Sequence, residues 1–242
     1  MKNILSSAGK EMLMMMKSIA DFIYPQTCLL TEEYLDEFNS NGFIKDENFS
    51  KLYRISDQDF NDLADKVISD YCFSLFAFCR EDDFSKIIHN IKYRGMRKLA
   101  VYMGELLGLE FKENFRGLKI PDIDLIAPVP LHRARLRERG FNQSELICRG
   151  VSKITGIKTA ADLLIRVKNT SSQTKLSRNE RNKNIESAFI LNKKYQSEIN
   201  LKNIVILDDV ITTGSTINEA VRILKESGAG QIISCSLAMA RD

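Results

Sequence analysis

Short unbroken apolar runs alternate with stretches of helical spacing along most of this chain. Tyr71–Phe78, Asp124–Val129, Leu163–Val167, Glu186–Leu191, Ile204–Leu207 and Gln231–Ala238 read as strands, several of them rich in β-branched residues and suited to burial on both faces. Between them, apolar residues recur at helical spacing: Ile87, Ile88 and Ile91; Met96, Leu99, Ala100, Met103, Leu106 and Leu107; Leu146, Ile147 and Val151; Ile217, Ala220, Val221 and Leu224. Strand–helix alternation of this kind predicts an α/β fold with a parallel sheet flanked by helices.

The first third of the chain lacks this rhythm. Residues 1–80 are predicted as a small N-terminal appendage and residues 81–242 as the α/β domain. Met1–Tyr24 reads as an amphipathic helix, because Glu11, Lys17 and Asp21 interrupt the Met12–Met16 cluster and no cleavage region of the signal type follows. The methionines at 12, 14, 15 and 16 leave the translation start open. Turns are predicted around Tyr24–Cys28 and Asn39–Gly42, and a helix over Asp57–Ser69.

Composition narrows the class. With 44% hydrophobic residues in 242, the chain can bury a sizeable core. No apolar run approaches the roughly 18 residues that span a bilayer. Five scattered cysteines without a Cys-x-x-Cys pair argue against a disulfide framework, so the expected compartment is the cytosol. Net charge is +3, but residues 1–83 hold 8 Lys and Arg against 16 Asp and Glu, whereas residues 84–242 hold 27 against 16. The C-terminal part is therefore suited to an anionic ligand.

The candidate chemistry centres on VILDDVITTGST, residues 205–216. Two adjacent carboxylates, Asp208 and Asp209, stand at the carboxyl end of a buried strand, where open α/β sheets place their ligands. The loop that follows offers backbone amides, hydroxyls and a helix N-terminus, a nest for a phosphate monoester. Carboxylates beside a phosphate cradle must grip something else on the same molecule, either hydroxyls or a bridging metal, and a phosphorylated sugar satisfies both. A receiver phosphoacceptor and a Walker-B metal site share the tandem acids, but the Walker-B reading needs a GxxxxGK[ST] loop that is absent. Two further segments carry cations. Lys92–Lys98 sets four cations around a Gly corner; an anion contact and an ordinary solvated turn both fit, and the turn is the expectation. Arginines at 133, 135, 137 and 139 alternate, which suits an extended loop presenting guanidinium forks to phosphate oxygens. Residues 168–184 are polar and basic, long enough to serve as a lid.

The motif VILDDVITTGST resembles the phosphoribosyl-pyrophosphate (PRPP) binding motif of type I phosphoribosyltransferases. IAPVPLHRARLRERGFNQSEL, NTSSQTKLSRNERNKNIESAF and IIHNIKYRGMRKLA resemble blocks of the ComF family, competence proteins with a phosphoribosyltransferase-like domain, and the first two are more distantly similar to the transferase half of glutamine PRPP amidotransferase. The resemblance implies that Asp208 and Asp209 hold the ribose hydroxyls and that Thr212, Thr213, Gly214, Ser215 and Thr216 cradle the 5-phosphate. Arg133, with Arg137 and Arg139, would face the pyrophosphate, so the catalytic set is Asp208, Asp209 and Arg133. Gln173, Arg178 and Arg181 would lie on the flexible lid. Mg2+ would arrive with PRPP, possibly touching Asp208 and Asp209, without a protein-only metal site.

Two departures from related proteins matter. ComF relatives commonly carry a four-cysteine zinc knuckle beginning at a Pro-x-x-Cys like Pro25–Cys28. Here Thr31 stands at the partner position and no cysteine follows before Cys72, so no zinc is expected. The amidotransferase requires an N-terminal cysteine nucleophile and a large glutaminase domain; with Met-Lys-Asn at the start and some eighty residues before the transferase-like part, a role in de novo purine synthesis is not expected. The family implies a role in DNA uptake, with single-stranded DNA and the competence machinery as partners. The alternative is an active phosphoribosyltransferase of nucleotide metabolism or salvage.

Overall fold

A computed structural model describes residues 26–36, 38–114, 122–168 and 188–241, together with Met12 and Met15. The rest of the helix predicted over Met1–Tyr24 lies outside these residues, as do Gln173, Arg178 and Arg181. The chain divides into two compact units, Met1–Leu52 and Tyr53–Asp242.

In the first unit, Thr27 and Tyr34 form an antiparallel bridge, and the Cys28 amide donates to the Glu33 carbonyl. The turn predicted at Asn39–Gly42 forms because side-chain carbonyls replace backbone partners: Asn39 Oδ1 accepts the Asn41 and Gly42 amides, and Asn41 Oδ1 accepts those of Phe43 and Ile44. A one-turn helix, α1 (Asp46–Phe49), follows. Cys28, Leu30, Ile44 and Leu52 are the buried apolar residues here.

The second unit contains α2 (Asp57–Lys66), β1 (Tyr71–Phe78), α3 (Asp83–Tyr93), α4 (Arg97–Asn114), β2 (Leu125–Pro128), α5 (Arg133–Arg139), α6 (Gln143–Thr155), β3 (Lys158–Thr159), β4 (Leu164–Arg166), β5 (Phe189–Leu191), β6 (Ile204–Ile211), α7 (Ser215–Glu226) and β7 (Ile232–Ala240). Five strands form one parallel sheet in the order β1-β7-β6-β2-β3. The sheet takes β1 from the stretch assigned to the appendage, and the compact unit that carries it starts at Tyr53. Ile204–Leu207 of β6 and Ile232–Met239 of β7 are buried without a break, as expected of central strands covered on both faces. One core joins Ile204 and Ile206 to Leu63 of α2, to Ile217, Ala220, Val221 and Leu224 of α7, and to Leu164 and Phe189.

α4 and α6 form the other helical layer, packed against β1, β7, β2 and β6. Their backbones touch at two glycines. A Cβ on Gly104 would stand 2.2 Å from the Ile147 carbonyl oxygen, and one on Gly150 2.2 Å from that of Val101. Only residues without a side chain permit this approach, and it fixes where the N-terminus of α6 lies.

Two expectations need correction. The alternating arginines do not run as an extended loop; they form the helix α5. His132 caps it, its Nδ1 accepting the Ala134 amide, and Gly140 ends it in the left-handed conformation with its amide on the Leu136 carbonyl. Arg, Ala, Leu and Glu are strong helix formers, and these start and stop signals outweigh the alternation. Nor do the strands at Leu163–Val167 and Glu186–Leu191 join the parallel sheet. β4 and β5 pair antiparallel with each other as a separate ribbon.

Candidate functional site

β2 leaves the sheet early. Pro128 pairs with Leu207, the Val129 amide still reaches the Leu207 carbonyl, and Pro130 then has no amide to donate. β6 continues to Ile211 beside β7, so Asp208 and Asp209 project past the end of one neighbour. The chain leaves β6 toward β7 through α7 and leaves β2 toward β3 through α5 and α6. This is the switch point at which open α/β sheets form their ligand crevice.

Around this crevice the structure gathers residues from four elements. Asn142 caps α6, its Oδ1 accepting the Ser144 amide while its Nδ2 donates to the Val129 carbonyl. The buried Ser144 hydroxyl then donates to Asp208 Oδ1 at 3.0 Å, and the Asp209 amide donates to the same oxygen. Asp209 Oδ1 accepts the Val210 amide, and its Oδ2 is 2.7 Å from the ammonium of Lys92 at the end of α3. Burial and the adjacent Asp209 charge push the Asp208 carboxyl up to about 7, against the opposing pull of Lys92 and the two hydrogen bonds. For Lys92, burial lowers the ammonium, but Asp209 and Asp208 outweigh it and hold it above the usual lysine range.

The Thr212–Thr216 loop borders a small polar cleft of about 30 Å³ that also includes Asp208. Gly214 takes φ +78° at the N-cap of α7, and a Cβ there would fall 2.1 Å from the Lys66 carbonyl oxygen. Asn218 braces the same junction, donating to the Lys66 carbonyl and accepting the Ile68 amide. The Thr213 and Ser215 hydroxyls are 2.8 Å apart. Among the described residues, no hydrogen bond engages the backbone amides of Thr212, Thr213 or Gly214. These amides border a polar cleft at the start of a twelve-residue helix, which is the chemistry of an anion nest. A larger cavity, about 670 Å³, runs along β1 past Arg54, Phe60 and Glu110 and contains neither the acid pair nor the loop.

The predicted cations separate into two groups. Arg133 and Arg137 are exposed on α5 and make no bond to the acid pair among the described residues. Arg139 turns inward, bonding Gln143 and lying over the Tyr93 ring at 5.4 Å. Three participants escaped sequence reasoning. Lys92 belongs to the segment read as a solvated turn, and Ser144 to a helix read only for its apolar face. Arg166 of β4 is the third: burial and the neighbouring Arg135 lower its guanidinium, while Asp208 attracts it. The Pro-Val-Pro exit and the Asn142 cap were the available signals for Ser144; nothing local marked Lys92 or Arg166.

For magnesium, Asp208 Oδ2 accepts no hydrogen bond among the described residues, and Asp209 Oδ2, which accepts none either, is ion-paired with Lys92. This suits an ion that takes most of its shell from water and phosphate oxygens. Zinc does not fit the described residues around Cys28. Its sulfur accepts the Lys45 amide at 3.4 Å and Asn48 Nδ2 at 3.7 Å. Burial pushes the thiol up, but the Thr31 hydroxyl and the amides of Lys45, Leu30 and Thr31 bring it down to about 7. Among the described residues, no group of three His, Cys, Asp or Glu could hold a metal ion.

The parallel sheet, its switch-point acids and the amide-lined loop define a phosphoribosyltransferase-type domain, and the profile of the phosphoribosyl transferase domain matches residues 152–242. Competence protein F of Haemophilus influenzae is 33% identical over 161 residues, which cover 66% of this chain and 69% of that protein. The chain belongs to the ComF family. The DNA utilization protein YhgH of Escherichia coli K12 is 35% identical over 150 residues, and the match spans 63% of its length and 61% of this chain. Glutamine PRPP amidotransferase from B. subtilis superposes with a TM-score of 0.37 at 20% identity, over 56% of this chain and 25% of that one.

Proposed function

We propose that the crevice at the end of β6 binds PRPP with Mg2+, or a related phosphoribosyl ligand, in a cytoplasmic protein linked to the handling of incoming DNA in competence. The observation that carries the ligand is a juxtaposition. Asp208 keeps an uncommitted oxygen beside a loop whose Thr212, Thr213 and Gly214 amides bond nothing in the chain among the described residues. Asp208 Oδ2 accepts a ribose hydroxyl beside the Lys92-paired Asp209, and the loop amides with the N-terminus of α7 take the 5-phosphate. Arg166 of β4 feels the Asp208 charge, Arg135 lies near Arg166 and Arg139 near Lys92, so positive charge borders the acids where the second anionic group of the ligand would lie. Magnesium, when bound, would neutralise pyrophosphate oxygens. The names of the relatives, competence protein F and DNA utilization protein, support the cellular link.

Titration calorimetry with ribose 5-phosphate and with PRPP, with and without Mg2+, tests this reading. Wild type is expected to bind both ligands. Asp208→Asn/Asp209→Asn is expected to lose at least about tenfold, or about 1.4 kcal/mol. Equal binding by wild type and the double variant removes the site assignment. Turnover is the alternative reading, and consumption of labelled PRPP with a panel of bases and amines decides it.

A second surface favours direct contact with single-stranded nucleic acid. The turn after α3 and the C-terminal end of α5 interleave two cation–ring contacts, Arg139 over Tyr93 and Arg97 over Phe141, and the His89 ring lies 4.9 Å from that of Tyr93, tilted by 43°. Tyr93 is 69% exposed. Guanidinium groups beside an exposed ring are what a flexible strand uses for backbone contact and base stacking. Salt-dependent binding of an oligonucleotide that weakens in Tyr93→Ala supports this role, and undiminished binding by that variant removes it.

A further inference from the structure

Lys92 has no part in the sugar-phosphate reading, yet it is the residue most tightly joined to the acid pair. It sits in the last turn of α3, and its ammonium meets Asp209 Oδ2 at 2.7 Å, where the carboxylate side chain is 5% exposed and the lysine side chain 23%. The other oxygen of Asp209 accepts the Val210 amide, and Oδ2 accepts no hydrogen bond, so the Lys92 ammonium is the charge that compensates it. Asp208 differs. Its Oδ1 accepts the Ser144 hydroxyl and the Asp209 amide, and its Oδ2 accepts no hydrogen bond among the described residues. Two adjacent carboxylates in a crevice would by themselves form a doubly negative, oxygen-lined hole, the kind of place a hard divalent cation seeks. An ammonium in charge-assisted contact with one of them answers that demand from within the chain.

We infer that Lys92 is a built-in counter-ion standing on Asp209 where a divalent cation would otherwise sit. The ligand-free protein then holds no divalent metal at the acid pair, and the pair meets its ligand with one negative charge cancelled by Lys92. Less repulsion remains against an anionic sugar phosphate. Asp208 Oδ2 is left as the oxygen offered to a hydroxyl, or to a metal carried in by the ligand. That last consequence rests on the sugar-phosphate reading; the exclusion of metal from the empty site does not.

Manganese alone, without any sugar phosphate, is the probe, with loss of the free-ion electron paramagnetic resonance signal as the readout. Wild type and Lys92→Arg are expected to take up no manganese saturably at concentrations up to about 1 mM, a range typical of weak carboxylate sites. Lys92→Met, which keeps the unbranched apolar stem and removes the ammonium, is expected to bind one ion per chain at least about tenfold more tightly than wild type, and Lys92→Met/Asp209→Asn to lose that gain. Circular dichroism checks that each variant is folded. A folded Lys92→Met with no gain overturns the inference. So does saturable uptake by wild type that Asp209→Asn abolishes, a comparison that stands even if Lys92→Met does not fold. Failure of PRPP to bind leaves both metal results intact, so the two readings fail separately.

Discussion

Asp208 is the residue on which the site turns, and its environment makes a pH dependence that can be worked out. Burial and Asp209 raise its folded-state carboxyl from the ordinary 3.8 to about 7. A raised acid favours the fold most while it is protonated in both states. Its contribution is therefore complete below about pH 3.8 and is lost as pH rises through about 7. Ligand binding runs the other way, because ribose hydroxyls donate best to an ionised carboxylate. Affinity for ribose 5-phosphate, measured by calorimetry without metal, is expected to rise from about pH 5.5 to about pH 8.5 in wild type. In Asp208→Asn only the titration of the ligand's own phosphate should remain. An identical profile in the two proteins would show that Asp208 does not touch the ligand. At this scale the sequence was half legible. Asp208, Asp209 and the Thr212–Thr216 loop stand together in the chain, so their chemistry could be read in one line. Lys92 and Ser144 reach the acids only after folding, and each reads locally as an ordinary helical residue.

At the scale of elements, the site depends on how closely α4 and α6 approach, because α6 carries Asn142 and Ser144 to the acids. Gly150 makes the point testable. An added methyl would meet the Val101 carbonyl oxygen at 2.2 Å and the Glu105 amide at 2.7 Å, both backbone atoms with little room to move. Overpacking of this kind costs about 1–3 kcal/mol, and Gly150→Ala should sit at the upper end in urea melts. The shift of α6 should also weaken ligand binding through Ser144. Gly108→Ala meets Ile154 Cβ at 3.0 Å and Val151 Cα at 3.1 Å, a softer collision, and should cost less. Equal losses in the two variants would argue against the tight crossing. Long periodic elements such as α4, α6, β6 and β7 were readable because their apolar spacing persists. α5 was misread because four alternating arginines masked a seven-residue helix whose His132 and Gly140 boundaries were visible. The β4–β5 ribbon was misplaced for a different reason: a three-residue apolar strand carries no record of the direction of its partner.

For the molecule as a whole, the two units make separate demands. The first holds Cys28 in a ring of amide and hydroxyl donors. Purified protein is accordingly expected to contain no stoichiometric zinc by elemental analysis, and chelator should leave its melting temperature unchanged; one zinc per chain would overturn the expectation. The second unit tests where the phosphoribosyltransferase-type domain starts. A boundary at residue 81 would cut away α2 and β1. That removes seven register pairs running from Tyr71↔Ile233 to Phe78↔Ala240, takes the buried Leu75 and Phe76 out of the chain, and bares one edge of β7. β7 is buried along Ile232–Met239, so this edge would expose a long apolar strand with unpaired backbone groups, a template for aggregation. Loss of α2 would also take Leu63 from the core beside α7 and leave Asn218, which braces the phosphate loop, without the Lys66 carbonyl. A chain of residues 53–242 is expected to melt cooperatively and to bind ribose 5-phosphate, whereas residues 81–242 should be insoluble or lack a cooperative transition. Should residues 81–242 fold and bind as well as residues 53–242, β1 would be dispensable and the expected boundary at residue 81 would stand.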